Sequence, residues 1–226
     1  MTYDWNFGRL AVYREAFFLG TLNTVGLAVL VIAFGTLLGA AVGFGLRLHW
    51  VRVLLYPLID IVRAIPPLVL ILFCYYFFTE QVVGLAVPGF WVAVVALSVN
   101  LAAFVADIIR SALDEVRAED VEAGLAVGMN AWQVRRYIII PSVIRYAAPA
   151  ITVMYIGMLK LTSLASVVNV REVVYSAQTI ITDSARSLEV WVIVAGIYIL
   201  LVLPSTYAAR WFERALGRGR RENRVF

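Results

Sequence analysis

The sequence is poor in the residues from which metal centres, disulfide frameworks and charged protein surfaces are built. It has one cysteine, Cys74, and one histidine, His49, which excludes an internal disulfide framework and a Cys/His metal site within this chain. Only 15% of the 226 residues are charged, against about 25% in average proteins. Because 62% of the residues are hydrophobic and the mean hydropathy is +0.87, we predict an integral membrane protein surrounded by lipid.

Lysine is almost absent, which excludes one common nucleotide site. A phosphate-binding P-loop needs a Gly-Lys-Ser/Thr core, whereas the only lysine, Lys160, follows Leu159. Neither a Gly-x-Ser-x-Gly elbow nor a His-Glu-x-x-His zinc motif is present. Carboxylates near apolar segments (Asp60, Glu80 and Asp107) leave an intramembrane enzyme conceivable, but they are better interpreted as structural ion pairs at span ends. We expect no enzymatic activity, no catalytic residue and no metal.

Long apolar runs dominate what is present. About 20 apolar residues are needed to cross a bilayer, and five segments of this kind can be distinguished. They cover about residues 20–46, 53–78, 90–113, 147–170 and 190–209. The sequence therefore predicts a single all-α membrane domain over residues 1–226, with a long connection, residues 114–146, that we call the coupling loop.

The first span contains glycine at every fourth position. Gly35, Gly39 and Gly43 form one stripe along a helix face, which allows a second helix backbone to come close. The alternative is the general enrichment of glycine in membrane helices. We favour close helix packing.

The second span is interrupted by charge and by proline. Asp60 and Arg63 are three residues apart, so they can meet on one helix face. The pair Pro66–Pro67 removes two interior hydrogen bonds and must break or kink the helix. Charged groups beside a broken helix are tolerated at membrane depth only inside protein or a water-filled cavity. We therefore predict a gate at Arg63 and Pro66.

Polar residues within the later spans indicate a solute path. Asn100 lies in the middle of the third span, and Lys160, followed by Thr162 and Ser163, lies near the middle of the fourth. A cation at that depth costs about 3 kcal/mol, so Lys160 should face a cavity or a partner. Two roles remain open for Lys160. It could pair with a substrate carboxylate, with Thr162 and Ser163 as donors, or it could be structural and paired with Asp107 or a partner chain.

The basic residues are distributed unequally between the two membrane faces. Thirteen arginines fall on the side of the coupling loop and the tail: Arg47, Arg52, Arg110, Arg117, Arg135, Arg136, Arg145, Arg210, Arg214, Arg218, Arg220, Arg221 and Arg224. Four fall on the other side: Arg9, Arg14, Arg171 and Arg186. The positive-inside rule then places the N-terminus outside and the C-terminus and coupling loop in the cytoplasm. Topology thus explains the net charge of +4, and no nucleic acid partner is expected.

The coupling loop predicts a helix, a hinge and a second helix. The first helix covers residues 121–127 and ends at Gly128, which suits a left-handed cap. The second begins at Asn130, with Gln133 in the position of a capping box, and should stop near Pro141. On these features alone the loop could be an ordinary solvated connection or a docking element.

A sequence motif favours docking. Glu122-Ala123-Gly124, then Gly128, then Ile140-Pro141 resembles the cytoplasmic EAA signature of ABC importer permeases. Gly124 departs from that pattern, which has alanine there, and we expect slightly looser helix packing as a result.

Four further segments narrow the resemblance to the polar amino acid uptake family, which includes histidine, glutamine and arginine permease subunits. They are Gly20-Thr21-Leu22-Asn23-Thr24, Val62-Arg63-Ala64-Ile65-Pro66-Pro67-Leu68, Ala106-Asp107-Ile108-Ile109-Arg110 and Lys160-Leu161-Thr162-Ser163-Leu164. The resemblance covers about residues 15–215. It implies a type I ABC importer permease fold in a bacterial inner membrane.

The resemblance also implies partners and residue roles. The partners are two cytoplasmic ATP-binding subunits that hold ATP and Mg, a second permease subunit (identical or paralogous), and an extracytoplasmic solute-binding protein. The chain itself would need no cofactor. The ATPase-coupling residues would be Glu122, Ala123, Gly124, Gly128, Ala131, Trp132, Arg135, Arg136 and Pro141.

The substrate implied by this family is a polar amino acid or a similar small zwitterion, and derivatives such as opines are included. Two other classes of protein remain as alternatives. A secondary carrier or channel would transport without an ATPase, and a membrane scaffold or enzyme would show no solute flux.

Overall fold

The computed structural model describes residues 5–78, 82, 84 and 87–217, and within these all regular structure is helical. Glu80 and the tail arginines Arg218, Arg220, Arg221 and Arg224 lie outside the described residues. The helices are α1 Arg14–Gly45, α2 His49–Ala64, α3 Pro67–Phe77, α4 Gly89–Asp114, α5 Ala118–Ala126, α6 Ala131–Val134, α7 Ile140–Leu161, α8 Val173–Ser184 and α9 Ser187–Gly217. A 3-10 turn, Phe7–Tyr13, leads into α1, and another, Thr162–Val168, extends α7.

Four helical stretches in the described part are long and apolar enough to cross a membrane. They are Phe7–Gly45, Gly89–Asp114, Ala131–Val168 and Ser187–Ala215. Each contains nearly all of one predicted span. A fifth crossing is possible only if α2 and α3, which are bent by 107° relative to each other, count as one broken span.

The break between α2 and α3 lies where proline predicted it. Ile65 and Pro66 are extended, with ψ of 126° and 135°, and Pro67 begins α3. Proline disfavours helical geometry for the residue before it, and both residues that precede a proline here, Ile65 and Pro66, are extended. The predicted interruption of the second span is confirmed.

The glycine stripe of α1 packs directly on α4, the most deeply buried of the long helices. A Cβ added to Gly35 would lie 2.9 Å from Leu101 Cβ, and one added to Gly39 would lie 2.6 Å from Val105 Cβ. A Cβ on Gly43 would lie 2.9 Å from the Ala106 carbonyl oxygen. Close helix packing, and not a general enrichment in glycine, explains the stripe.

Helix α8 lies at the membrane face where α1 and α9 begin, which we call the opposite face. Buried Val173, Ala177 and Ile180 pack with residues of α1 and α9. Glu172, which is fully buried, caps α8 by accepting hydrogen bonds from the backbone N–H groups of Val174 (2.9 Å) and Tyr175 (2.7 Å). Burial raises the pKa of Glu172 to about 7, although these two hydrogen bonds act in the other direction.

The α1–α4 contact makes a testable prediction. Gly39→Ala places a methyl group against the Val105 side chain and the Ala102 carbonyl oxygen, at 2.6 and 2.7 Å. Overpacking costs about 1–3 kcal/mol, which outweighs the roughly 1 kcal/mol that alanine gains over glycine in a helix. We expect a lower midpoint of thermal unfolding for the purified protein in detergent.

Gly26→Ala is the matched control, because it changes the same residue type in the same helix, and beyond the nearby backbone of that helix no described atom lies within 4 Å of the new Cβ. It should leave the midpoint unchanged or raise it. Equal effects of the two substitutions would contradict the assigned contact.

Candidate functional site

The first part of the coupling loop ends in a complete Schellman motif. Helix α5 gives way to Gly128, which has φ of +87°. The N–H of Gly128 donates to Leu125 O (3.0 Å), and the N–H of Met129 donates to Gly124 O (3.1 Å). These two bonds satisfy the last carbonyl groups of α5. The left-handed cap predicted at Gly128 is confirmed.

The second part begins with the predicted capping box. Asn130 Oδ1 accepts a hydrogen bond from the N–H of Gln133 (2.9 Å), and Gln133 Oε1 accepts one from the N–H of Asn130 (2.8 Å). This reciprocal pair satisfies two amide groups at the start of the helix.

The prediction that this helix stops near Pro141 is wrong. A single helical stretch of 38 residues runs from Ala131 to Val168. The reason is a π-helical turn, Arg135–Ile139, in which the N–H of Ile140 donates to Arg135 O. Such a turn contains one extra residue, and it widens the helix just where the proline ring would meet the preceding turn.

The expectation of looser packing at Gly124 is also wrong. Gly124 is buried, and a Cβ there would lie 2.5 Å from Ile138 Cδ1 and 3.2 Å from Met129 Sδ. Glycine therefore lets α5 approach the base of the long helix more closely than alanine would. The coupling loop is a short helix packed against the first turns of a membrane helix.

The outer surface of this pair is rich in groups that proteins use for binding other proteins. Trp132 is 65% exposed and Tyr137 is 61% exposed, and their rings pack edge to face at 6.4 Å. Tryptophan, tyrosine and arginine are the residues most enriched in interface hot spots. The other predicted coupling residues that are exposed are Glu122, Ala123, Gly128, Ala131, Arg135, Arg136 and Pro141.

A chain of alternating charges connects α2 to α4. Arg63 Nη1 lies 2.9 Å from Asp107 Oδ2 and 3.7 Å from Asp60 Oδ1. Asp107 also binds Arg110 at 3.2 Å, and Arg110 binds Asp114 at 3.1 Å. The expected meeting of Asp60 and Arg63 occurs, but the shorter contact, to Asp107, joins two helices that are distant in sequence. Pro66 is exposed at the bend that follows Arg63.

Lys160 faces a cavity. The cavity measures about 460 Å³ and is lined by Lys160 and Ser163, by Val174 of α8, and by Tyr198 and other residues of α9. Within the described part of the chain, no carboxylate lies within 4.0 Å of Lys160. The alternative in which Lys160 pairs with Asp107 is therefore not realised in this chain. We call this space the lysine cavity.

The remaining predicted path residues are placed differently. Thr162 is fully buried, and its hydroxyl donates to Leu159 O at 2.8 Å, whereas Ser163 lines the lysine cavity and donates to Lys160 O at 2.8 Å. Asn100 is 1% exposed within α4, and its Oδ1 has no hydrogen-bond partner among the described residues. The structure thus brings Lys160 and Ser163 together, while Arg63 is held at α4.

The fold defines the class as a helical membrane protein in which a short helix packs against the base of a long apolar helix. The family model described as "Binding-protein-dependent transport system inner membrane component" matches residues 32–218. The chain belongs to this family of ABC transporter permeases, as its motifs predicted, and is an inner membrane component.

Curated relatives and solved structures agree with this assignment. The glutamine transport system permease protein GlnP of Escherichia coli K12 is 30% identical over 96% of this chain and 99% of its own length. The octopine transport system permease protein OccM of Rhizobium radiobacter is 32% identical over 92% of this chain and 90% of its own.

The fold is that of solved ABC transporter permeases. A chain from the crystal structure of an amino acid ABC transporter with histidines matches with a TM-score of 0.85 and 29% identity, over 95% of this chain and 100% of that one. The MetNI methionine ABC transporter in an inward-facing conformation matches with a TM-score of 0.74 at 21% identity, over 91% and 98%, and supports the fold. The predicted type I importer permease fold is confirmed.

Proposed function

We propose that the chain is the translocation subunit of an ATP-driven importer that moves a polar amino acid or a related small zwitterion into the cytoplasm. The observation that supports this most is the exposed aromatic and basic surface of the coupling loop, on a chain whose single lysine excludes a P-loop. An ATP-driven transport subunit without a nucleotide site needs a partner subunit that hydrolyses ATP and binds to its surface. Relatives named for glutamine and octopine transport support the substrate class.

The partners are two ATP-binding subunits that carry ATP and Mg, a second permease subunit and an extracytoplasmic solute-binding protein. The excess of arginines on the side of the coupling loop, thirteen against four, supports a cytoplasmic position for that loop, where the ATPase would bind it. The second permease subunit is either a copy of this chain or a paralogue. In both cases the solute path lies between two such units.

The continuous helix supports a direct mechanism of coupling. Trp132 and Lys160 belong to the same stretch, Ala131–Val168, and 28 residues at about 1.5 Å each separate them by roughly 42 Å. A movement of the docked ATPase at Trp132 is therefore delivered along one continuous helix to the lysine cavity. Helix α5, tightly packed at Gly124, braces the near end of that element.

The lysine cavity is proposed as the substrate site. Its volume of about 460 Å³ lies in the range of small-molecule pockets, roughly 300–1,000 Å³. The ammonium group of Lys160 would bind the substrate carboxylate, with the Ser163 hydroxyl beside it. Thr162 and Asn100, both buried, would support this region from within the protein.

Arg63 and the bend at Pro66 are proposed as the gate. The arginine holds α2 against α4 through Asp107 at 2.9 Å, and the 107° bend directly follows. Because Pro66 and Pro67 have no N–H to donate, the bend lacks two helical hydrogen bonds, and α3 can move relative to α2 at lower cost.

The docking proposal is tested by reconstitution with the ATPase subunit and the solute-binding protein in proteoliposomes. Uptake of radiolabelled amino acid should require ATP. Glu122→Lys, or Gly128→Asp, which strains a residue at φ of +87°, should leave the permease inserted but abolish co-purification of the ATPase.

Glu15→Lys makes the same charge change at an exposed position of α1 on the opposite face, and it should retain the ATPase. If Glu122→Lys and Gly128→Asp also retain it, the coupling loop is an ordinary connection. Uptake without ATP would instead indicate a secondary carrier or channel.

The substrate role of Lys160 has its own test. A hydrogen bond to a charged group contributes about 1.5–3 kcal/mol, so Lys160→Ala should lower uptake at least about tenfold. Basal ATPase activity and assembly should stay normal, and Lys160→Arg should restore part of the uptake. Failure of the Lys160→Ala complex to assemble would show that the lysine is structural.

The gate proposal is tested with Arg63→Ala and with Asp60→Asn as its control, since Asp60 is 3.7 Å from Arg63 and 56% exposed. Loss of the contact to Asp107 should change the populations of open and closed forms by about tenfold. Uptake should fall in the arginine variant only, with ATPase binding retained. Normal uptake coupled to ATP in Arg63→Ala would rule out the gate.

A further inference from the structure

A second, smaller cavity lies at the membrane face where the coupling loop emerges. Its volume is about 250 Å³, and it is formed by the end of α1, the α1–α2 turn and the end of α4. The charged and titratable side chains that line it are Arg47, His49, Arg52, Arg110 and Asp114. We call it the arginine cavity.

The positive charge in this cavity is only partly balanced. Arg110 is neutralised by Asp107 at 3.2 Å and by Asp114 at 3.1 Å. Within the described residues, no carboxylate lies within 4.0 Å of Arg47 or Arg52. Asp114 pairs with Arg110, so the charges of Arg47 and Arg52 repel each other in this concave site and favour binding of an anion.

The surroundings of the cavity are those of a membrane interface. Leu48, Trp50 and Val53, which alternate with the lining residues, are 53%, 67% and 63% exposed. Tryptophan is enriched at the level of lipid headgroups. An anion that also bears long apolar chains could place its charge in the cavity and its chains against these side chains.

We propose that the arginine cavity binds the phosphate of an anionic phospholipid, held by Arg47 and Arg52. Basic pockets between membrane helices commonly bind such headgroups. The proposal does not rest on the proposed transport function, since neither Arg47 nor Arg52 belongs to the coupling loop, the lysine cavity or the gate. A bound lipid would tie the start of α2 to the ends of α1 and α4, and α2 is the helix that leads to Arg63 and the bend.

The proposal is tested with the full chain in nanodiscs of phosphatidylcholine containing a minor fraction of phosphatidylglycerol. Native mass spectrometry measures how much phosphatidylglycerol the released protein retains. The wild type should retain phosphatidylglycerol selectively, and the double variant Arg47→Gln/Arg52→Gln should bind it at least roughly tenfold more weakly. Arg47→Lys/Arg52→Lys, which keeps both charges, should retain most of the binding and shows whether the double variant merely misfolds.

The matched control is Arg210→Gln/Arg214→Gln, which removes two exposed arginines near the end of α9 and should not change retention. If it lowers retention equally, the binding is a general surface effect and the proposal is wrong. Inorganic phosphate at millimolar concentration should not compete with the lipid. If it displaces phosphatidylglycerol fully, or if phosphatidylcholine is retained equally well, the cavity is not a site for anionic lipid.

Discussion

The contact between the glycine face of α1 and the buried helix α4 is the interaction on which the rest of the structure depends. In a bilayer the hydrophobic effect does little to hold one apolar helix against another, so close packing must do so. Gly35, Gly39 and Gly43 bring the α1 backbone to α4 at distances that no larger residue would permit. Helices α2, α3 and α7 also pack on α4. Helix α4 is therefore the common packing partner of α1, α2, α3 and α7.

The second constraint is that charge at membrane depth must be compensated. Asp107 on α4 forms ion pairs with Arg63 on α2 and with Arg110 on its own helix. One carboxylate therefore compensates both arginines and joins the broken span to α4. Lys160 is the exception, since no described carboxylate lies within ion-pair distance. Lys160 is exposed to the lysine cavity, and a cation at membrane depth without a counterion is costly. A substrate carboxylate that enters the cavity would offset this cost, which supports the proposed substrate site.

Features set by local chemistry could be predicted from sequence, and features set by distant contacts could not. The Schellman cap at Gly128, the capping box at Asn130 and the break before Pro67 depend on a few neighbouring residues. The partner of Arg63 depends on how α2 lies on α4, and no short pattern encodes that. Gly124 was misjudged for the same reason, because its contact, Ile138, belongs to another helix. Pro141 was misjudged because a single inserted residue in the preceding turn cancels its effect.

The outcome at Pro141 changes how the coupling loop can work. Had the helix stopped there, a flexible hinge would separate the docking surface from the membrane, and a push at Trp132 would be absorbed before it reached the lysine cavity. With one helix from Ala131 to Val168, bending is easiest at the π-helical turn, where the hydrogen-bond ladder is widened, and at Pro149, which has no N–H to donate. That turn contains Ile138, which packs against Gly124 of α5. Helix α5 therefore supports the long helix where its hydrogen-bond ladder is widened. Stiffness in the coupling loop thus depends on two features. The π-helical turn lets the helix continue through Pro141, and Gly124 lets α5 pack closely against that helix.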